Sequence, residues 1–493
     1  MAKDRIYLER SALRDRIYAC WMGKNIGGTF GGPYENMREI LDIQGFATKA
    51  GEPLPNDDLD LQLIWLKAVG DWGPKAINEK LLGEYWLSYI GPHWNEYGVG
   101  KSNLREGFVP PLSGEVNNNQ WKHSNGAWIR TEIWACLFPA DPETAIRYAY
   151  YDACVDHGFG EGTYAAIFVA AMESAAFVIH DVRELLKLGL SKIPADCRTA
   201  QCVRTVIEGY DKGEDWKKIR NRLVDDTKDI GWFQAPANIG FVVTGLLYGE
   251  GDFKKSMTLA TNCGDDTDCT AATIGSLMGI MKGTAGLPED WIQYVGEEIK
   301  TICLLNGHGQ YPKDCTELTD AVMELLPITL GKARFSGWDT RLNVIIGDHD
   351  DLSDFDMSQY YGTALVDELN GRSQYSFTEE GPFCSVLVEY DTEPRISPNG
   401  TLSGKISVKS TFLPEQKHYQ LRWWTEDGWS VESPLNLHDN RGLSMNSSYH
   451  DPGTTVPFTI HASETVRALN KVVLEVSSLG RVTPVYLALV IMG

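Results

Sequence analysis

The chain has 493 residues, 43% hydrophobic and 23% charged, with a formal net charge of −22; that length exceeds what one core usually supports, so two domains are expected. The acidic balance argues against a nucleic-acid backbone or an anionic membrane as a nonspecific partner, while leaving room for a small phosphorylated ligand held by local dipoles. The charged start, Met1-Ala2-Lys3-Asp4-Arg5, has no apolar core of signal-peptide length, and no run approaches a membrane span.

From residue 10 to about 335 the sequence reads as helix after helix. Gly23-Lys24-Asn25-Ile26-Gly27-Gly28-Thr29-Phe30-Gly31-Gly32-Pro33-Tyr34-Glu35 is read as a glycine-rich loop. Its glycines permit close backbone approach to a ligand, and Glu35 would end it pointing into whatever they surround. No Gly-Lys-Ser/Thr follows to make a P-loop. Pro53-Leu54-Pro55 leads rigidly into a helix over 57–70, in which Leu61, Ile64, Trp65 and Ala68 recur at helical spacing. Asn56-Asp57-Asp58 stands at its mouth. Ser124-Asn125-Gly126-Ala127-Trp128-Ile129-Arg130 is a small polar loop whose backbone N–H groups suit phosphate or ribose oxygens. Asp141-Pro142-Glu143 opens another helix with an acidic cap and a first-turn proline. His157, in Asp156-His157-Gly158, suits a ligand hydroxyl or phosphate and equally a helix cap.

Helices are expected next over 161–180, 252–261, 270–282, 288–304 and 317–326. Between the second and third of these lies Thr261-Asn262-Cys263-Gly264-Asp265-Asp266-Thr267-Asp268-Cys269-Thr270, with three carboxylates in four positions. One Asp at such a place would be a helix N-cap. Three cannot all cap, and their mutual repulsion favours a hard cation such as Mg²⁺ or Mn²⁺, which prefers carboxylate oxygen. The earlier Asp57-Asp58 pair could supply the other half of an octahedral or two-metal site. Gly275, Gly279 and Gly283 recur every four residues and are read as room for a closely packed neighbouring helix. Nine of the ten cysteines lie before residue 316 without paired spacing. They read as reduced, mostly buried thiols, and the expected compartment is cytoplasmic.

After about residue 340 the texture changes. Asp348-His349-Asp350-Asp351 resembles a connector, and short β-branched or aromatic runs follow at 384–390, 404–412, 419–424, 456–463, 471–476 and 484–492. The expected fold is multidomain α plus β: an all-α domain over 1–340 and an all-β, sandwich-like domain over 345–493. Tyr419, Trp423, Trp424 and Trp429 fit sandwich core better than a sugar platform, and an oligomer or glycan contact through this domain is left open.

Taken in order, the motifs of the first domain resemble those of the ADP-ribosylglycohydrolase family, which includes dinitrogenase-reductase-activating glycohydrolase and the ADP-ribosylarginine hydrolases. The resemblance rests on the glycine-rich segment ending in Glu35, Asp57-Asp58, Asn125-Gly126-Ala127 with Arg130, His157, Asp266-Thr267-Asp268 with Ala271-Ala272-Thr273-Ile274-Gly275, and Leu287-Pro288-Glu289-Asp290-Trp291. It implies an orthogonal helical bundle with one or two Mg²⁺ or Mn²⁺ ions, and hydrolysis at C1 of the distal ribose of small-molecule or protein-linked ADP-ribose, or of a related N-riboside. By the same resemblance Asn56, Asp57, Asp58, Asp266, Asp268 and Cys269 hold the positions of the metal ligands. Glu35, Asp58 and Asp266 are the catalytic candidates. Gly31, Ser124, Asn125, Gly126, Ala127 and His157 are the substrate-binding ones. The chain departs from the family at Asn56, where Ser or Thr is common, at Leu59 and Cys269, where Thr is common, and at Asp265, where Gly is often found. These departures motivate an alternative expectation, a catalytically inactive ADP-ribose-binding or structural member.

Overall fold

In the computed structural model, which describes residues 7–305, 310–334, 341–343, 360–411, 417–439 and 454–493, the glycines expected to form a loop lie inside a 22-residue helix, Arg10–Gly31. Glycine weakens an isolated helix, so its presence here needs a packing reason, and the reason is the helix Thr267–Lys282. A Cβ on Gly23 would sit 2.1 Å from the Gly275 carbonyl oxygen, and one on Gly275 would sit 2.0 Å from that of Gly23. One turn further along, Gly27 meets Ala271, and one turn beyond that Gly31 meets the Thr267 carbonyl, so the two helices run antiparallel, backbone against backbone. The Gly-xxx-Gly repeat serves helix contact, as expected for residues 275 to 283. The same explanation extends to residues 23 to 31, where ligand approach was expected.

Contacts divide the chain into two compact units: Met1–Lys101 with Asn118–Asn370, and Ser102–Asn117 with Gly371–Gly493. The connector expected at Asp348-His349-Asp350-Asp351 lies outside the described residues. The first unit is helical around a core that includes the fully buried Trp21, Trp65, Trp86, Trp128 and Trp134. It also carries a short antiparallel pair, β1 (Tyr7–Glu9) with β2 (Arg341–Asn343). Seventeen α-helices are found among the described residues of the chain. The helix expected over 288–304 is only Glu289–Val295, because Gly296 turns to a φ of 79°. The chain beyond it makes isolated bridges, Glu298 to Asp314 and Ile90 to Leu304. No described helix is long and apolar enough to cross a membrane, and all ten cysteines are buried thiols outside any disulfide.

The second unit holds β3 (Ser376–Glu380), β4 (Cys384–Tyr390), β5 (Thr401–Ser410), β6 (Lys417–Trp424), β7 (Ser430–Glu432), β8 (Asn436–Asp439), β9 (Thr454–His461), β10 (Leu469–Ser478) and β11 (Val485–Met492). They form two antiparallel sheets, ordered β11-β10-β6-β8 and β3-β4-β5-β9-β7. One hydrophobic cluster draws on both sheets, with Val386, Val388, Ile406 and Ile460 from one and Leu421, Leu474, Val476 and Leu487 from the other. Alternation along each strand supplies it, as on β10, where Val472, Leu474 and Val476 are buried between exposed or half-buried neighbours. Phe108, Leu112 and Val116, from the 102–117 segment, join the same cluster. Tyr419 and Trp429 are buried there too, whereas Trp424 is 47% exposed.

Candidate metal centre

Antiparallel docking decides which chain ends meet. The C-terminal end of the Arg10–Gly31 helix arrives at the N-terminal end of Thr267–Lys282, and a short 3₁₀ turn, Gly32–Tyr34, carries the chain on to Glu35. Backbone bonds pin the two segments: Asn36 N donates to Asp265 O at 2.9 Å, and Asp265 N donates to Met37 O at 2.6 Å. The first turn of the helix Asp57–Trp72 supplies the remaining acids. The two aspartate sets therefore converge. Donor atoms of Asp58, Asp268 and Cys269 all lie within 4.8 Å of one another, and so do those of Glu35, Asp266 and Asp268. Asp268 belongs to both groups. Glu35, Asp57, Asp266, Asp268 and Cys269 line one cavity of about 420 Å³.

Helix capping does not account for this crowding. Asp266 stands at the N-cap position of its helix, yet its side chain makes no cap hydrogen bond. Asp58 Oδ2 and Asp268 Oδ1 are buried without a hydrogen-bond partner. Such atoms are costly unless something compensates them, and a divalent cation in this all-oxygen and sulfur environment fits the donors present. Asp265 is different. Its φ is +70°, and its carboxylate accepts from Asn238 Nδ2 at 2.8 Å and from the Phe233 backbone N–H. It fastens a neighbouring loop.

The charge balance points the same way. Partial burial in the cavity wall first, and then Asp268, Asp57 and Asp265, push the Glu35 carboxyl up to about 7. Burial and then Asp268 raise Asp57 and Asp266 as well. Asp58 is raised chiefly by burial, against the pull of Lys24. The Lys24 ammonium is wholly buried, 2.6 Å from Glu132 Oε1 and 3.5 Å from Asp58 Oδ2. Burial alone would draw Lys24 down, but Glu132 and Asp58 together hold it above its ordinary value. Gln62 Nε2 completes the buried layer by donating to Glu132 Oε2 and to the Asp58 carbonyl, both at 2.8 Å.

Other side chains aim the acids. Tyr97 Oη donates to Asp57 Oδ2 at 2.9 Å. Asn125 Nδ2 donates to Asp266 Oδ2 at 2.7 Å, and its own oxygen accepts from Trp128 Nε1, which fixes the amide's orientation. Asn56 Oδ1 caps its helix by accepting from Asp58 N at 2.8 Å. Arg130, fully buried, bonds Asp152, Asp156 and the Gly126 carbonyl, and so holds the 124–127 loop in place. His157 lies behind that loop, Nε2 3.0 Å from Ser124 Oγ and Nδ1 2.9 Å from Asp156 Oδ1.

Of the residues expected to bind substrate, Ser124, Asn125 and Gly126 line the cavity; Gly31, Ala127 and His157 are not among its lining residues. Gly31 is packed against Thr267, whose hydroxyl donates to the Gly31 carbonyl. Trp94, Asn95, Glu96, Tyr97, Phe233 and Ile302 also line the cavity. Nothing in their local sequence marks them, because single polar or aromatic residues in an ordinary stretch carry no periodic or charge signal. Together the walls offer clustered oxygen donors at one end and aromatic rings beside them, an arrangement able to hold cations and stabilise positive charge on a bound sugar.

A sequence model of the ADP-ribosylglycohydrolase family matches residues 9–326. A curated relative, ADP-ribosylarginine hydrolase Tri1 of Pseudomonas putida (strain GB-1), is 36% identical over 62 residues, covering 11% of this chain and only 17% of that protein. A solved structure described as an ADP-ribosylglycohydrolase-related protein complex covers 64% of this chain and 99% of its own, at 18% identity and a TM-score of 0.44. With the family match extending over well more than half of its length, the chain belongs to the ADP-ribosylglycohydrolase family.

Proposed function

We propose that this protein is a metal-dependent glycohydrolase that cleaves the C1 glycosidic bond of an ADP-ribosyl conjugate or a related N-riboside. The observation that carries the reading is the convergence of Glu35, Asp58, Asp266 and Asp268 on two donor groups that share Asp268. Asp57, Asp58, Asp266 and Asp268 would hold one or two divalent ions of the Mg²⁺ or Mn²⁺ type, with Asn56 and Cys269 at the edge of the set. The bound ions would supply a Lewis acid for ribose hydroxyls and lower the pKa of water. Asn125 and Tyr97 keep Asp266 and Asp57 oriented, and the carboxylates stabilise positive charge developing on the ribose as the leaving group departs. Glu35, on the wall of the cavity beside Asp266 and Asp268, can take a proton from the attacking water or return one to the leaving atom. The backbone N–H groups of Asn125 and Gly126 would contact the sugar or phosphates, that of Ser124 being donated to the Trp121 carbonyl. Retention of every one of these carboxylates speaks against the binding-only alternative. The two sheets of the second unit, sharing one cluster of apolar residues, support the reading of a sandwich-like accessory domain.

The test is incubation of the full chain with arginine-, serine- and nucleobase-linked ADP-ribose, with Mg²⁺ or Mn²⁺ and with chelator. Release of ADP-ribose that depends on metal is the expected outcome. No release from any conjugate, with metal bound to the protein, would sink the ADP-ribosyl substrate.

A further inference from the structure

One of the two donor groups is chemically unlike the other. Glu35, Asp266 and Asp268 offer only oxygen, whereas Asp58, Asp268 and Cys269 include a thiol. Cys269 is 5% exposed and Asp58 is wholly buried. Asp58 Oδ2 and Asp268 Oδ1 both lack hydrogen-bond partners. Cys269 Sγ donates a hydrogen bond to Asp58 Oδ1 at 3.5 Å. Bonds of about 2.3 Å to sulfur and about 2.1 Å to oxygen, opening at a tetrahedral angle, place the two atoms about 3.6 Å apart. The hydrogen-bonded pair therefore also has the spacing that one small thiophilic cation would need in place of the thiol proton. Mg²⁺ gains little from sulfur, while Zn²⁺ and Co²⁺ bind it well.

Resting on the reading of this cavity as a metal centre, we propose that the Asp58–Asp268–Cys269 group is a site for a thiophilic divalent cation of the Zn²⁺ or Co²⁺ class, while the neighbouring group around Asp266 offers oxygen alone. Binding converts the Cys269 thiol to a thiolate and releases its proton. Two carboxylates and a thiolate around a dication leave one negative charge, and Lys24 Nζ, 3.5 Å from Asp58 Oδ2, takes up part of it. Cys269 thereby tunes which metal the centre accepts.

Metal-stripped full-length protein is titrated with Co²⁺, followed by its near-ultraviolet sulfur-to-cobalt absorption, and the cobalt is then displaced with Zn²⁺. Wild type, Cys269→Ser and Cys269→Thr are compared, with Mn²⁺ affinity measured alongside. The expected result is a band in the wild type that saturates with a single bound cobalt and is chased by Zn²⁺. Both variants should lack it and bind Zn²⁺ roughly tenfold or more weakly, with Mn²⁺ affinity undiminished. A wild type without the band overturns the assignment even if the variants do not fold. So does a band that survives in either variant, or Zn²⁺ affinity equal to wild type. No substrate enters these measurements, so failure of ADP-ribosyl hydrolysis and failure of the thiophilic site are separate results.

Discussion

Two helices begin in acids, and the fold treats the two beginnings differently. At Asn56-Asp57-Asp58 the helix is capped by Asn56 Oδ1, and a buried ammonium, Lys24, stands beside Asp58. At Asp265-Asp266-Thr267-Asp268 the N-cap residue makes no cap bond, Asp265 is drawn off to Phe233 and Asn238, and Asp268 Oδ1 is left bare. The protein's own groups offset the first start with Lys24, although Asp58 Oδ2 there also lacks a hydrogen-bond partner. The second gathers negative charge that those groups offset only in part, so it is the stronger claim on a cation. Asp268, shared by both donor groups, is the place to break the comparison. Asp268→Asn should lower hydrolysis of an ADP-ribosyl conjugate by roughly a thousandfold in kcat/KM. In chelator the same change should leave melting temperature equal or higher, because one crowded charge is gone. A fall in metal-free stability with activity intact would make Asp268 a structural acid.

Lys24 sharpens the contrast from the other side. It is the built-in cation of the first start, so Lys24→Met strands Asp58 and Glu132 together. Removing one partner of a buried ion pair costs about 4 kcal/mol, to be read by chemical denaturation in chelator. Added Mn²⁺ should recover part of that loss by supplying charge near Asp58. Gly23→Ala acts on the contact that brings the second start to Glu35. With the Gly275 carbonyl oxygen 2.1 Å from the new methyl, overpacking should cost about 3 kcal/mol. Metal affinity should fall with it, since the helices must part; unchanged stability would mean the contact is looser than its geometry.

The acids are more legible in the sequence than their surroundings, for physical reasons. Three carboxylates in four residues are anomalous wherever they fold, so Asp266 and Asp268 could be singled out without knowing their neighbours. The helix start at Pro142 was legible from its acidic cap, which the fold uses at Asp141, and the start at Asp57 from the proline lead-in and apolar spacing, whereas the capping by Asn56 was not read. The role of Gly23, Gly27 and Gly31 was not legible, because glycine signals close approach without saying to what; the partner lies some 250 residues away in sequence at Gly275. Lys24 was equally hidden. A lysine in what reads as a glycine-rich loop is expected to be solvated, and only the tertiary meeting with Glu132 and Asp58 makes it buried. Phe108, Leu112 and Val116 sit in sequence among helices yet join the β cluster, a long-range choice that local periodicity cannot express.

The smallest effect separates the two starts most directly. Asn56→Ala removes a cap acceptor whose bond to Asp58 N is 2.8 Å, and loss of such a cap costs about 1 kcal/mol. Asp266→Asn keeps an oxygen to accept from Asn125 Nδ2 and removes a buried charge that makes no cap bond. In chelator, Asn56→Ala should therefore melt lower than wild type, and Asp266→Asn should melt at or above it. With Mn²⁺ the order should change: wild type and Asn56→Ala gain stability from the bound ion, and Asp266→Asn gains less. Equal losses for both variants in chelator would mean that Asp266 supports its helix as Asn56 does. The second acidic start would then be an ordinary helix terminus, and its carboxylates would no longer require a cation to explain them.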